Sequence, residues 1–235
     1  MGGAGHPGRG EAREAALSPT EVVYGRNAVA EASRGRRRVH RVWTSDDLPA
    51  AELSRLAGSD EHQGVVAEVD PYPYADAASL LVPDALIVAL DQVQDPGNLG
   101  AVCRSAEVAG AAGVVIPARR SAHVTPAVCK ASAGAVEHLP VARVRNLADW
   151  LADAKRAGGW IYGAQPAAPT RYDQVDLRGL VVLVLGGEER GVRPRVAAAC
   201  DALVSIPQSG KVGSLNVSAA AAVLLFEATR RRRGP

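Results

Sequence analysis

From Ala85 onward, short runs rich in β-branched residues alternate with helical patterns, and this alternation restricts the chain more than any other feature. Leu86–Leu90, Val114–Ile116, Val141–Val144, Trp160–Ala164, Val181–Leu185 and Leu203–Ile206 are too short and too apolar for surface helices, so they read as buried strands. Between them, Leu99–Ala109, Pro126–Ala133, Leu147–Ala157 and Arg193–Ala199 read as helices. Strands and helices in this order predict an α/β fold, a mostly parallel sheet covered on both faces. Ligands of such sheets bind beyond the carboxyl ends of the strands. A closing helix, Ser214 to Arg230, is apolar nearly all round from Val217 to Phe226, which predicts burial against the sheet or a second subunit.

Ahead of this region the chain divides into smaller pieces. Residues 1–19 have little to bury and read as a tail. Residues 20–70 form a small unit. Tyr24-Gly25-Arg26-Asn27 leads into a short helix, Ala28 to Ser33, and the basic cluster Arg34-Gly35-Arg36-Arg37-Arg38 precedes a strand, Val39 to Trp43. His62-Gln63-Gly64 and a strand from Val65 to Val69 close the unit. Residues 71–84 begin Pro71-Tyr72-Pro73-Tyr74, where two prolines fix the backbone and remove donors, and read as a linker to residues 85–235. The arginine run Arg230–Arg233 reads as a solvated tail.

Composition narrows the class. A net charge of +2 does not by itself identify a nucleic-acid binder. Only Lys130, Lys155 and Lys211 are lysines, so the rest of the 27 basic side chains are arginines, whose planar fork suits phosphates and bases. A GC-rich genome produces the same bias without any functional meaning. Cys103, Cys129 and Cys200 are widely spaced and lack a C-x-x-C pair, so no disulfide framework and no metal site is indicated, and buried thiols in a reducing compartment are expected. With no apolar span and no signal-like start, the sequence predicts a cytoplasmic protein with no membrane partner.

Three strand-loop units carry polar residues suited to chemistry. In the first, the loop Gln92 to Asn98 delivers the chain into a helix; Asn98 suits an N-cap, and Arg104 lies nearly two turns further along. Arg104 also suits a surface pair with Glu107. In the second, Gly186-Gly187-Glu188-Glu189-Arg190-Gly191 follows an apolar strand, and its glycines let a ligand approach the backbone. The spacing is not that of a dinucleotide fingerprint, and Glu188 also suits the first turn of a helix. In the third, Ile206-Pro207-Gln208-Ser209-Gly210-Lys211 runs into Ser214-Leu215-Asn216-Val217-Ser218, with Ser214 as the expected N-cap and Asn216 inside the first turn.

Taken jointly, Asn-x5-Arg, then G-G-E-x-x-G after a strand, then I-P-x-x-G-x-x-x-S-L-N-V-S resemble the three motifs of the SpoU family of RNA ribose 2′-O-methyltransferases, in the SPOUT superfamily. Val23-Tyr24-Gly25-Arg26-Asn27 and His62-Gln63-Gly64 are similar to the L30e-like substrate-binding domain that precedes the catalytic domain in the family's ribosomal RNA enzymes. The resemblance implies a SPOUT α/β-knot, with a deep trefoil knot, working as a homodimer on S-adenosylmethionine. It assigns Gly186, Ile206 and Leu215, with Gly187 and Ser214 adjacent, to the cofactor, and Asn98, Arg104, Glu188, Asn216 and Ser214 to catalysis on the ribose. Arg26, Arg36, Arg37, Arg38 and Arg104 are the RNA-binding candidates. The expected target is 23S ribosomal RNA. A transfer RNA, a ribosome-protecting resistance modification, or a non-catalytic RNA-binding role are the alternatives. No histidine falls within the motifs to act as a base. The resemblance proposes Arg104 for that role, beside which stands a clamp on the adjacent phosphate, since arginine stays protonated. Two departures from the family pattern stand out. Glu189 stands where a small residue is usual, which bears on loop charge and on how Glu188 points. Residues 44–61 are short for an L30e-like domain, which normally has another helix and strand there, and this bears on docking and the RNA target.

Overall fold

The computed structural model describes residues 19–187 and 191–233; the tail expected before Pro19 lies outside them. The front of the chain forms β1 (Glu21–Tyr24), α1 (Arg26–Ala32), β2 (Val39–Thr44), α2 (Ala50–Ala57) and β3 (Val65–Val69). Its strands make an antiparallel sheet in the order β1-β3-β2. The two short motifs meet here: Gln63 accepts the Arg26 backbone N–H on its Oε1 at 3.0 Å, and its carbonyl accepts the Arg26 Nε. Helix α2, which the sequence reading lacked, buries Leu53 against Tyr24 and Val66 and supplies the missing helix between residues 44 and 61. A further strand in that interval is absent among the described residues.

The remainder alternates as predicted: β4 (Leu86–Asp91), α3 (Pro96–Val108), β5 (Gly113–Pro117), α4 (Pro126–Ala131), β6 (Val141–Val144), α5 (Leu147–Arg156), β7 (Trp160–Ala164), β8 (Thr170–Arg171), β9 (Val181–Gly186), α6 (Pro194–Ala199), β10 (Ala202–Ser205) and α7 (Val217–Arg232). The sheet order is β6-β5-β4-β9-β7-β10-β8, and every pairing in it is parallel. Strands β4 and β5 are buried along their whole length, as continuous Val, Ile and Leu runs require when both faces are covered. Side chains such as Val88 and Leu90 pack with α3, α4 and α7 on one face, while Ile87 and Ala89 pack with α5 and α6 on the other. Full burial of one such side chain contributes about 1.5–3 kcal/mol.

The return from β10 to α7 crosses the sheet, since β10 lies beyond β7 whereas α7 packs on α3 and β9. This is the segment in which the resemblance locates the knot. Arginines fasten its far end. Arg231 donates to the carbonyls of Asp173 and Val175, and Arg232 reaches those of Leu177 at 2.9 Å and Gly179 at 2.7 Å. The expectation of a solvated arginine tail is therefore corrected for these two, because α7 delivers them to carbonyls left open just before β9.

The front domain docks on α4 and the turn after it. Arg37 is buried and pairs with the buried Glu137, its Nε at 3.0 Å from Glu137 Oε2, while its Nη2 reaches Cys129 Sγ at 3.4 Å. Burial alone would depress the guanidinium, but the Glu137 hydrogen bond, the Glu137 charge and the Cys129 contact together outweigh it and hold the group above its usual range. Arg36 donates to the carbonyls of Glu137 and Leu139 and to Tyr72 Oη. Of the RNA-binding candidates, Arg37 is thus buried in the junction, and Arg36, though exposed, spends donors on joining the two domains. Arg26 and Arg38 remain exposed. Residues 71–74 are likewise no free linker, since Tyr72 is buried edge-on to Tyr74 at 5.0 Å and donates to the Val136 carbonyl.

Candidate active site

The carboxyl end of β9 carries Gly186 and Gly187, and the chain folds back at once: Gly191 N–H donates to the Gly187 carbonyl at 2.9 Å. A Cβ at Gly186 would lie 1.9 Å from the Gly191 carbonyl carbon, so only glycine permits the reversal. Asp91, at the adjacent end of β4 and fully buried, fixes the reversal from below. Its carbonyl accepts the Gly187 N–H at 3.0 Å, and its carboxylate accepts the Arg193 backbone N–H and Nε, each at 2.8 Å. One carboxylate thereby satisfies a backbone donor and a guanidinium, the arrangement that makes a buried charge tolerable.

Next to this loop, β7, β9, β10 and the segment before α7 enclose a cavity of about 560 Å³. Gly186, Gly187, Ile206, Ser214 and Leu215, the five residues assigned to the cofactor, all line it, together with Asn216. Ala164, Gln165, Pro166, Gly191, Val192 and Gln208 complete much of the wall and were missed in the sequence. The signal available for Ala164 to Pro166 was their place at the carboxyl end of β7 and just beyond it, where ligands of a parallel sheet gather. The walls mix apolar side chains with main-chain groups and amides, as suits a nucleoside carrying an amino-acid tail, and the volume is within the usual range for small-ligand sites. The described lining residues include no carboxylate. A cationic guest would therefore meet carbonyl and amide oxygens.

Two caps differ from expectation. Asp95, not Asn98, caps α3 through a hydrogen bond from Asn98 N–H at 2.6 Å, so the Asn98 side chain has no capping duty. Asn216, not Ser214, caps α7, accepting from Ser218 N–H at 2.8 Å on Oδ1. Its Nδ2 is left to donate to Asn98 Oδ1 at 3.0 Å, which joins the first and third loops beside the cavity. Arg104 is exposed on α3, is not among the cavity walls, and forms no ion pair with Glu107. Glu188, with Glu189 and Arg190, lies outside the described residues. Among the described residues, no cluster of histidine, cysteine or carboxylate side chains could hold a metal. The three thiols are held protonated: burial pushes Cys103 and Cys200 up to about 12 and Cys129 to about 11.

Residues 85–226 match the model of the SpoU rRNA Methylase family, and residues 22–75 match that of the RNA 2′-O ribose methyltransferase substrate binding domain. An uncharacterized tRNA/rRNA methyltransferase of Mycolicibacterium smegmatis is 38% identical over 97% of this chain and 85% of its own length. One of Synechocystis is 36% identical over 93% of this chain, which spans 65% of that relative. Among solved structures, the AdoMet-bound rRNA methyltransferase of Sinorhizobium meliloti is 27% identical with a TM-score of 0.77, covering 90% of this chain and 87% of that one. The SpoU methyltransferase AviRb of Streptomyces viridochromogenes, in complex with AdoMet, is also 27% identical at 0.77, covering 91% and 90%. A small α/β domain ahead of a parallel sheet with a glycine-walled cavity is, in this company, the architecture of an RNA methyltransferase. The chain belongs to the SpoU methyltransferase family.

Proposed function

We infer that this chain transfers a methyl group from S-adenosylmethionine to a ribose 2′-hydroxyl of RNA, with 23S ribosomal RNA as its target. The observation that carries the reading is the hydrogen bond between Asn216 and Asn98, which sets two polar side chains from separate loops at the mouth of a glycine-walled cavity. When bound, S-adenosylmethionine supplies an electrophilic methyl group. The residues of the chain then have to orient a sugar oxygen toward it at about 3–3.5 Å and exclude water. Gly186, Gly187, Ile206 and Leu215 offer main-chain groups to the cofactor, with Ser214 beside them. Asn98 and Asn216 steer the ribose. Arg104 reaches the neighbouring phosphate and eases loss of the hydroxyl proton, a role that suits a cation better than that of a base. The substrate-binding domain matched at residues 22–75 supports an RNA target.

The working form is a homodimer. Val108 on α3 is 61% exposed and Phe226 on α7 is 49% exposed, and the two helices lie side by side, so their apolar strip suits burial against a second copy. Two measurements test the reading. Calorimetry should detect one S-adenosylmethionine per chain. Mapping of 2′-O-methyl sites in RNA from cells with and without the protein should reveal one lost site in 23S ribosomal RNA. A site lost from transfer RNA would move the target, and no cofactor binding would end the reading.

A further inference from the structure

Strands β5 and β6 end side by side, with Pro117 in register with Val144 and Ala118 N–H donating to the Val144 carbonyl at 2.8 Å. Immediately past these ends stand Arg119, Arg120 and Arg145, all exposed, with Arg143 one step back on β6. Arg143 lies over the Tyr74 ring, its guanidinium carbon 3.9 Å from the centroid. None of the four has a carboxylate partner among the described residues, although other arginines of the chain, such as Arg156, Arg178 and Arg195, do.

The loop that carries Arg119 and Arg120 is fixed rather than free. Ala122 N–H donates to the Val93 carbonyl at 2.8 Å, and Val124 N–H donates to Tyr74 Oη at 2.9 Å. The first of these ties the loop to the segment that delivers Asn98, so the arginines lie on the carboxyl-end rim beside the polar pair. Arg120 adopts φ 58°, a left-handed conformation that a side chain takes only when its surroundings impose it. In the same loop Ser121 Oγ and His123 Nδ1 are buried without hydrogen-bond partners among the described residues, a deficit that a polar guest or an ordered water relieves.

We propose that Arg119, Arg120, Arg143 and Arg145 form a track for the phosphate backbone of RNA, leading from the β6 edge of the sheet to the ribose position at Asn98. Unpaired guanidiniums on a rigid rim attract a polyanion and release its counterions. Their planar forks grip phosphate oxygens two at a time. The track rests on the functional reading above for the identity of its guest, and it offers phosphate contacts that the buried Arg37 does not.

The test compares Arg119→Gln/Arg120→Gly with Arg156→Gln/Arg178→Gln, a control pair at the opposite end of the strands with the same change in net charge. Glycine at position 120 is at ease with the positive φ, so the fold should be kept. Binding of a mixed-sequence single-stranded RNA is measured across a salt series. The rim variant should lower the slope of log affinity against log salt by about 1.4, roughly 0.7 per lost contact, and raise KM for RNA with kcat kept within about twofold. The control should match the unaltered chain. A rim variant with unchanged slope and KM, or a control that falls as far, would overturn the proposal. Because RNA binding is read apart from methyl transfer, an unaltered chain that failed to take up S-adenosylmethionine would sink the functional reading without touching this one.

Discussion

Asn216 Nδ2 donates to Asn98 Oδ1 at 3.0 Å across 118 positions of sequence, and Asn216 Oδ1 at the same time caps α7 through Ser218 N–H. One amide thus does two jobs that can be separated. Asn216→Asp keeps an acceptor for the cap but loses the donor to Asn98, and aspartate is as good an N-cap as asparagine. Thermal stability should stay within about 0.5 kcal/mol of the parent. Methyl transfer should fall roughly 100-fold, the scale of a misplaced reacting group. Single-turnover kinetics beside a melting curve would check this.

Arg104→Ala removes an exposed side chain outside the cavity. S-adenosylmethionine should bind as before in calorimetry, while kcat on RNA drops at least about 100-fold if the guanidinium assists deprotonation. Near-parental turnover would remove Arg104 from the chemistry.

The Asp91 carboxylate is fully buried against Arg193, whose side chain is partly open to water. Asp91→Ala should therefore cost about 2 kcal/mol, less than the 3–5 of a wholly buried pair. Because the same residue anchors the glycine reversal, cofactor affinity should weaken too, and Asp91→Asn should recover part of both losses. Chemical denaturation and calorimetry on the two variants give the comparison.

The domain junction should be more sensitive. Glu137→Gln takes from Arg37 its buried counter-ion and leaves only the half-exposed Glu21 carboxylate at 3.3 Å, so a loss of about 3 kcal/mol, the low end for a broken buried pair, is expected. Limited proteolysis should then cut near Pro71–Tyr74, segments that the parent protects. A variant as stable as the parent would mean that the junction is held by something other than this pair.

The buried thiols set an alkaline limit. Cys103 is raised from 9.0 to about 12 by burial, so the folded state excludes the thiolate that the unfolded chain forms. The resulting stability is fully present below pH 9 and is lost as pH climbs toward 12. Native protein near pH 8 should resist thiol reagents at Cys103 and Cys129, and unfolding should expose both.

What could be read in advance follows a physical divide. Strands such as Val181–Leu185 announce themselves because a sheet covered on both faces demands unbroken apolar runs, so β9 and its glycines were placed within a residue. Helix α2 escaped because it is only eight residues long and lies between Pro49 and Gly58, which read as turn signals, although Leu53, Leu56 and Ala57 share its inner face. Caps were misjudged by position rather than by chemistry: Asp95 and Asn216 outcompete Asn98 and Ser214 because Pro96 and Val217 open the helices. Contacts over long separation, such as Asp91 with Arg193 or Arg37 with Glu137, leave no local trace at all. An arginine looks the same in sequence whether it will face a phosphate or a buried glutamate.

That junction has a consequence for how a substrate is chosen. With Arg36 and Arg37 locked into the turn after α4, the leading domain keeps a set span from Asn98, like the jaws of a caliper. An RNA that touches both must bring its own fold to that gauge, and a strand whose bend is too tight or too open never presents its sugar, whatever its bases.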